Sequence, residues 1–226
     1  MSDPLFREVD EAIRQDQLKA LWDRYGMFAL AGAFLIVATV GGIKGWQYWQ
    51  AQRAAEMGSR FEGAVALMEE GKTEEAELAL REIADGGPAG YRTLARFRLA
   101  AAKIKSGAAG EAVNDYDALA ADSSIGDSLQ DLARIRAATL RMDEAGVDEM
   151  KNRLGGLADG ASPWRHSARE LLGLTAFRAG DMTEAARQFT AAAADAAAPP
   201  RLRQRAEMML ALINKPEEGA GAAPKS

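Results

Sequence analysis

Residues 25–43, YGMFALAGAFLIVATVGGI, form an uncharged apolar run in a chain that is otherwise polar and Ala-rich. At a rise of about 1.5 Å per residue, a helix of that length spans roughly 28 Å, close to the hydrocarbon thickness of a bilayer. Phe28, Leu30, Phe34, Leu35, Ile36, Val37, Val40 and Ile43 each favour insertion, by about 0.3–0.6 kcal/mol. The flanks agree. Trp22 and Tyr25 stand at one edge and Trp46, Tyr48 and Trp49 at the other, where amphipathic rings prefer the headgroup level. Lys44 can snorkel to the interface from the end of the run. A buried core helix rarely stays uncharged for so long, so the run reads as a transmembrane anchor.

A cleaved secretory leader does not fit. The segment before the run carries Asp3, Glu8, Asp10, Glu11, Asp16 and Asp23 against Arg7, Arg14, Lys19 and Arg24, whereas a leader begins short and net basic. Bulky residues, GWQYWQAQR, follow where a small-x-small cleavage site belongs. Arg14, Lys19 and Arg24 on the N-terminal side outweigh Lys44 and Arg53 on the other. That bias orients the N-terminus to the cytoplasm and the main body outside.

The rest of the composition removes whole classes of chemistry. The chain has no Cys and a single His, so disulfides, Cys-ligated zinc and thiol catalysis are excluded, and histidine metal sites or Ser-His pairs are disfavoured. His166, beside Trp164 and Arg165, reads as a helix-surface residue. The net charge is −5 and all of it arises after residue 53. No basic stripe suits nucleic acid. The carboxylates of EEGKTEEAE, residues 69–77, have no His or nucleophile beside them and read as a solvated helix end. GGPAG and SGAAG lack the Lys-Ser/Thr of a phosphate loop and read as helix connections. No catalytic, metal or cofactor-binding residue is expected.

Beyond the run the sequence repeats. Gly71, Gly107 and Gly180 are each followed five residues later by Ala76, Ala112 and Ala185, and nine later by Leu80, Tyr116 and Phe189. Twelve later come Ile83, Leu119 and Ala192; seven before come Ala64, Ala100 and Gly173. The first two units are offset by 36 residues and the last by 73, with a degenerate unit (Leu132, Ala133, Leu140, Ala145) in the gap and an irregular connection, GGLADGASP. This spacing predicts two antiparallel helices per unit. The Gly ends the first helix in a left-handed conformation. The small residue lets the second helix approach, and Tyr116 or Phe189 fills the groove to the next unit. Asp181 and Glu184 have the spacing of a reciprocal cap. Such units cannot bury an apolar face alone and must stack. Pro199-Pro200 then starts a helix whose Leu202, Ala206, Met209, Leu210 and Ile213 form one stripe, a capping helix for the stack.

The stretch LLGLTAFRAGDMTEAARQFTAAAADA, residues 171–196, resembles the tetratricopeptide repeat family, and LAAAKIKSGAAGEAVNDYDAL, residues 99–119, follows its pattern less strictly. The resemblance implies an all-α fold: one N-terminal transmembrane helix, an α-solenoid of about four degenerate helix pairs, and the cap. The expected divisions are a cytoplasmic tail over 1–24, an anchor over 25–49, the repeat domain over 50–214 and a disordered tail over 215–226. The order of parts resembles the ancillary subunit family of the bacterial SecYEG translocon. That resemblance implies a non-enzymatic, single-pass inner-membrane adaptor with a periplasmic repeat domain. Its implied partners are translocon channel subunits, periplasmic chaperones and unfolded polypeptide, with lipid around the anchor. A scaffold for cytochrome maturation, cell-wall or cell-division assembly is the alternative.

Two candidate surfaces follow from the register. Phe61, Val65 and Met68, then Leu94, Phe97 and Ile104, then Leu174 and Phe177 fall on the first helices of their units, toward a concave groove suited to an apolar peptide or chaperone helix. Ordinary packing between repeats would use the same spacing. In the anchor, Ala29, Ala33, Gly41 and Gly45 recur at four-residue steps interrupted by Val37, a spacing at which small residues let membrane helices pack closely.

Overall fold

The computed structural model describes residues 4–215, with side chains from Trp22 onward apart from those of Asp23, Ala29 and Ala33. Among them all regular structure is helical: α1 (Pro4–Glu69), α2 (Thr73–Gly86), α3 (Ala89–Lys105), α4 (Ala109–Ala121), α5 (Asp127–Arg141), α6 (Val147–Ala158), α7 (Arg165–Arg178), α8 (Met182–Ala194) and α9 (Pro200–Ile213), with a short 3-10 helix at Ser123–Ile125. The all-α class therefore holds. Two compact units divide between Glu56 and Met57. The tail expected over 215–226 lies, beyond Lys215, outside the described residues.

In the first unit α1 is long and apolar enough to cross a membrane. Its large apolar side chains stand exposed, from Met27 at 82% to Trp49 at 47%. Thr39 is the polar side chain within the run, and its hydroxyl donates to the Leu35 carbonyl at 2.7 Å, so it needs no outside partner. Both ends of the run carry a cation over an aromatic face. Arg24 lies 5.8 Å from the Tyr25 ring and Arg53 4.2 Å from the Trp49 ring, and Trp46 packs on Trp49 with ring centroids 5.3 Å apart.

The second unit is a stack of helix pairs in which each helix packs on the next. Its reversals are built on the predicted glycines: Gly71, Gly107 and Gly180 have φ of 80°, 84° and 80°. Each reversal closes the same two hydrogen bonds. The glycine N–H donates to Met68, Ile104 or Phe177 at 3.3, 3.2 and 3.1 Å, and the next N–H donates to Leu67, Lys103 or Ala176, each at 2.9 Å. This is the Schellman pattern, which satisfies the otherwise orphaned carbonyls of a helix end. It also corrects the reciprocal cap expected at Asp181. The Asp181 carboxylate does accept from the Glu184 N–H at 3.0 Å. But the Asp181 N–H is already committed to Ala176, and the Glu184 carboxylate goes to Arg187 and Gln188 instead.

The small residues sit where the helices of a pair cross: Ala64, Ala100, Ala76, Ala112 and Ala185 are all buried. Phe189 has a second role beside the expected one. A Cβ added to Gly173 would lie 2.9 Å from the Phe189 ring, so the ring fills the notch left by that glycine within its own pair. It also meets Leu202 and Ala206 of α9 in one cluster. The third pair is irregular in a way the repeat spacing does not convey. Its α5–α6 turn has no left-handed glycine; the positive-φ glycine of this pair, Gly126 at 81°, stands before α5. Ala145 is buried in the turn before α6, and the Arg178 side chain donates to its carbonyl. Much of the expected GGLADGASP connection is helix, since α6 continues through Gly155 and Gly156 to Ala158. Trp164 then closes the gap by donating from its indole to the Ser128 carbonyl at 2.9 Å.

Ion pairs tie the start of one helix to the end of its partner. Arg96 of α3 meets Asp122 at 2.6 Å. Seventy-three residues on, at the repeat offset, Arg169 meets Asp195 at 3.5 Å, joined by Arg165 at 2.9 Å. Hydrogen bonds from Ser124 and Arg96 hold Asp122 down to about 2, and Arg165 with the Ala197 N–H does the same for Asp195. His166 is not the surface residue expected. It is 5% exposed, at the repeat position of buried Thr93. Its Nδ1 lies 3.7 Å from Asp195 Oδ2, too far for a hydrogen bond, and has no other partner. Burial depresses its pKa below the ordinary 6.5, Arg165 and Arg169 reinforce this, and Asp195 opposes it.

Two expectations follow. Gly173→Ala lowers unfolding free energy by about 1 kcal/mol, because overpacking against Phe189 outweighs the helix gain. Gly63→Ala, where an added Cβ meets nothing, raises it by about 0.5–1 kcal/mol; urea unfolding of the two variants reads both signs. Acid acts in two windows. An unfolded His takes a proton that folded His166 resists, so stability falls as pH drops below about 6.5. The contributions of Asp122 and Asp195 are complete above about 4 and are lost as pH falls toward 2. His166→Gln flattens the first window and leaves the second, measured as denaturation midpoints against pH.

Candidate functional site

Side chains of α3 and α5, with the buried Tyr116 of α4 beneath them, enclose an open cavity of about 410 Å³. Helical spacing puts Leu94, Phe97, Ala101 and Ile104 on one face of α3, and Leu129, Leu132, Arg136, Thr139 and Leu140 on the facing side of α5. The wall is thus apolar. Leu94 is 44% and Ile104 37% exposed, while Phe97 leans on Tyr116 with ring centroids 5.9 Å apart. Burial raises the Tyr116 phenol and nearby Arg136 opposes that shift.

The eight residues expected to line one groove divide three ways. Leu94, Phe97 and Ile104 meet in the α3–α5 cavity. Phe61 and Met68 pack half-buried against Ala64, Leu80, Ile83 and Ala95, with the Phe61 ring 6.1 Å from Tyr91, and Val65 is half-buried nearby in α1. Leu174 and Phe177 pack against the α8–α9 cluster around Phe189 and Leu202. In the anchor, Gly41 and Gly45 are exposed with open space where a Cβ would lie. The side chains of Ala29 and Ala33 lie outside the described residues.

Two cavity residues carry charge, and the repeat pattern does not single them out. Arg98 and Arg136 line the cavity and are exposed. Neither makes an ion pair among the described residues, although Arg81, Arg96, Arg134, Arg141, Arg153, Arg165, Arg169, Arg187 and Arg205 all do. Arg98 lies four residues after Leu94 and one after Phe97. That spacing is the signal in the sequence that places it on the cavity's rim. In a chain of net charge −5, two exposed cations without carboxylate partners give this surface a local positive field. Among the described residues no cluster of His, Asp and Glu converges as a metal set. The cavity offers apolar contact and charge.

The tetratricopeptide repeat-like domain family matches residues 19–215. The chain belongs to that family. Neither the curated proteins nor the solved structures give a match. The tetratricopeptide repeat-like match takes in the apolar run as well as all the helix pairs. Domains of this kind bind protein partners and are typically non-catalytic interaction modules.

The cavity makes a stability contrast. Leu94→Asp, at an exposed position, changes unfolding free energy by less than about 0.5 kcal/mol. Phe97→Asp, which strips the ring from Tyr116 and puts a carboxylate in its place, costs about 3 kcal/mol. Urea unfolding of both variants separates a surface that can bind from one that only packs.

Proposed function

We propose that this chain is a non-enzymatic adaptor of the bacterial protein translocon. Residues 25–49 anchor it in the inner membrane, and residues 50–214 present a repeat domain in the periplasm to chaperones or emerging polypeptide. Residues 1–24 are the cytoplasmic tail. Ala29, Ala33, Gly41 and Gly45 supply the face against a neighbouring membrane helix. The α3–α5 cavity carries the reading: it is apolar, open, and rimmed by Arg98 and Arg136, which make no ion pair among the described residues. Such a surface suits a segment in which large apolar side chains alternate with Asp or Glu, because burial supplies affinity and opposite charge supplies selection. The family's protein-binding character supports the adaptor role. The order of anchor and repeats, with its resemblance to the translocon's ancillary subunits, supports the location.

The test is gentle detergent extraction of the tagged full-length chain from native membranes, followed by identification of what co-purifies. The expected result is recovery of translocon channel subunits with a periplasmic chaperone. Leu94→Asp/Ile104→Asp should lose the chaperone but keep the channel, and Ala118→Asp on α4 should keep both. Recovery of a cytochrome-maturation, cell-wall or cell-division complex without the channel would replace this reading with the scaffold alternative.

A further inference from the structure

The two ends of the repeat stack are unlike ordinary solenoid ends. A solenoid stays soluble by presenting polar outer faces on its terminal repeats. Here the first pair carries an open cavity of about 460 Å³, lined by Met57, Arg60, Gly63, Ala64 and Leu67 of α1 and by Ala79, Glu82 and Ile83 of α2. No other helix contributes to its walls. Leu78, beside it on α2, is 59% exposed. At the other end, α9 buries Leu202 and Ala206 against α8 and turns its opposite face outward. That face holds Met208 at 64% and Leu212 at 54% exposure, with Ala211 between them.

The charges around these two apolar surfaces are opposite. Helix α2 carries Glu74, Glu75, Glu77, Glu82 and Asp85 against Arg81 alone, and Arg81 is paired to Glu77. Glu75 and Glu82 are exposed on the side of α2 that lines the cavity. The outward stripe of α9 carries Arg201 and Arg205 at helical spacing around Met208 and Leu212, with Glu207 as the acidic residue of that helix, and Lys215 follows two residues after its end. Arg205 is held by Glu170 at 2.6 Å; Arg201 and Lys215 have no ion pair among the described residues.

We infer that the occupant of the first-pair cavity is the α9 face of a second copy of this chain, with Met208 and Leu212 entering between α1 and α2 while Arg201 and Lys215 meet Glu75 and Glu82. The contact joins different surfaces of the two copies. It is therefore head-to-tail, and it extends to further copies unless it closes into a ring. It uses neither the α3–α5 cavity nor the membrane segment, so it stands or falls apart from the translocon reading.

The absence of Cys makes the test clean. One tagged full-length chain carries Gly63→Cys, where an added Cβ meets open space. A differently tagged one carries Met208→Cys, and the two are mixed in detergent micelles under mild oxidant. The expected product is a mixed disulfide dimer formed roughly tenfold more than either chain's disulfide with itself. Glu75→Lys/Glu82→Lys on the first chain lowers the yield roughly tenfold, and Arg201→Glu/Lys215→Glu on the second restores it. Circular dichroism melting confirms that every variant is folded. A self-disulfide of the Met208→Cys chain as abundant as the mixed product would overturn the inference. So would a yield no higher than that from Ala118→Cys paired with Met208→Cys, or a yield indifferent to both charge reversals. Light scattering that shows only monomers of the wild-type chain at all concentrations would overturn it as well.

Discussion

Each regular helix pair in this protein depends on a reversal that an ordinary residue makes only with strain. At Gly71, Gly107 and Gly180 the backbone enters the left-handed region, and two hydrogen bonds close over the end of the first helix. A side chain there costs about 1–2 kcal/mol. The reversal fixes where the second helix begins, and that sets which residues face each other across the pair. Ala100 meets Ala112, and Gly173 gives Phe189 its notch. With the pairs fixed in this way, the first helices α3 and α5 come to face one another across a cavity that no side chain of the stack fills.

Much of this was legible because small residues and glycines at fixed offsets have few physical explanations. The left-handed turns, the buried alanines and the α9 stripe all follow from spacing alone. What spacing did not convey depends on neighbours distant in sequence. His166 is buried because it occupies the position of Thr93 in a repeat whose helix start faces Asp195. The third pair lacks a glycine at its turn, so that turn is held by the Arg178 side chain, and Trp164 ties the connection after α6 to Ser128 of α5. The eight apolar groove positions lie on α1, α3 and α7, and their division among three neighbourhoods depends on how Tyr91, Tyr116 and Leu202 pack. Spacing puts Arg98 on the face of Leu94, but that Arg98 and Arg136 make no ion pair among the described residues is seen only once the partners of the other arginines are known.

The same packing fixes the state of several acidic groups. Hydrogen bonds from Ser124 and Arg96 to Asp122, from Arg165 and the Ala197 N–H to Asp195, and from Arg187 and Gln188 to Glu184 within α8 hold these three carboxylates near 2. Groups so far from neutral pH do not exchange protons at pH 7. The α3–α5 cavity joins apolar surface to Arg98 and Arg136, which make no ion pair among the described residues. The apolar helix, with an arginine over an aromatic ring at each end, gives the proposed adaptor its means of staying beside a membrane partner.

The central claim is that the α3–α5 cavity is a partner surface and not a packing defect. Site-specific photo-crosslinking in native membranes tests it most directly, with a photoreactive residue placed at Leu94, at Ile104, or at Ala118 on α4. The account predicts one discrete protein adduct from Leu94 and Ile104, absent from Ala118 and weakened by charge reversal at Arg98 and Arg136. Adducts of equal strength from all three positions, or none from Leu94 and Ile104 in a folded protein, would contradict it.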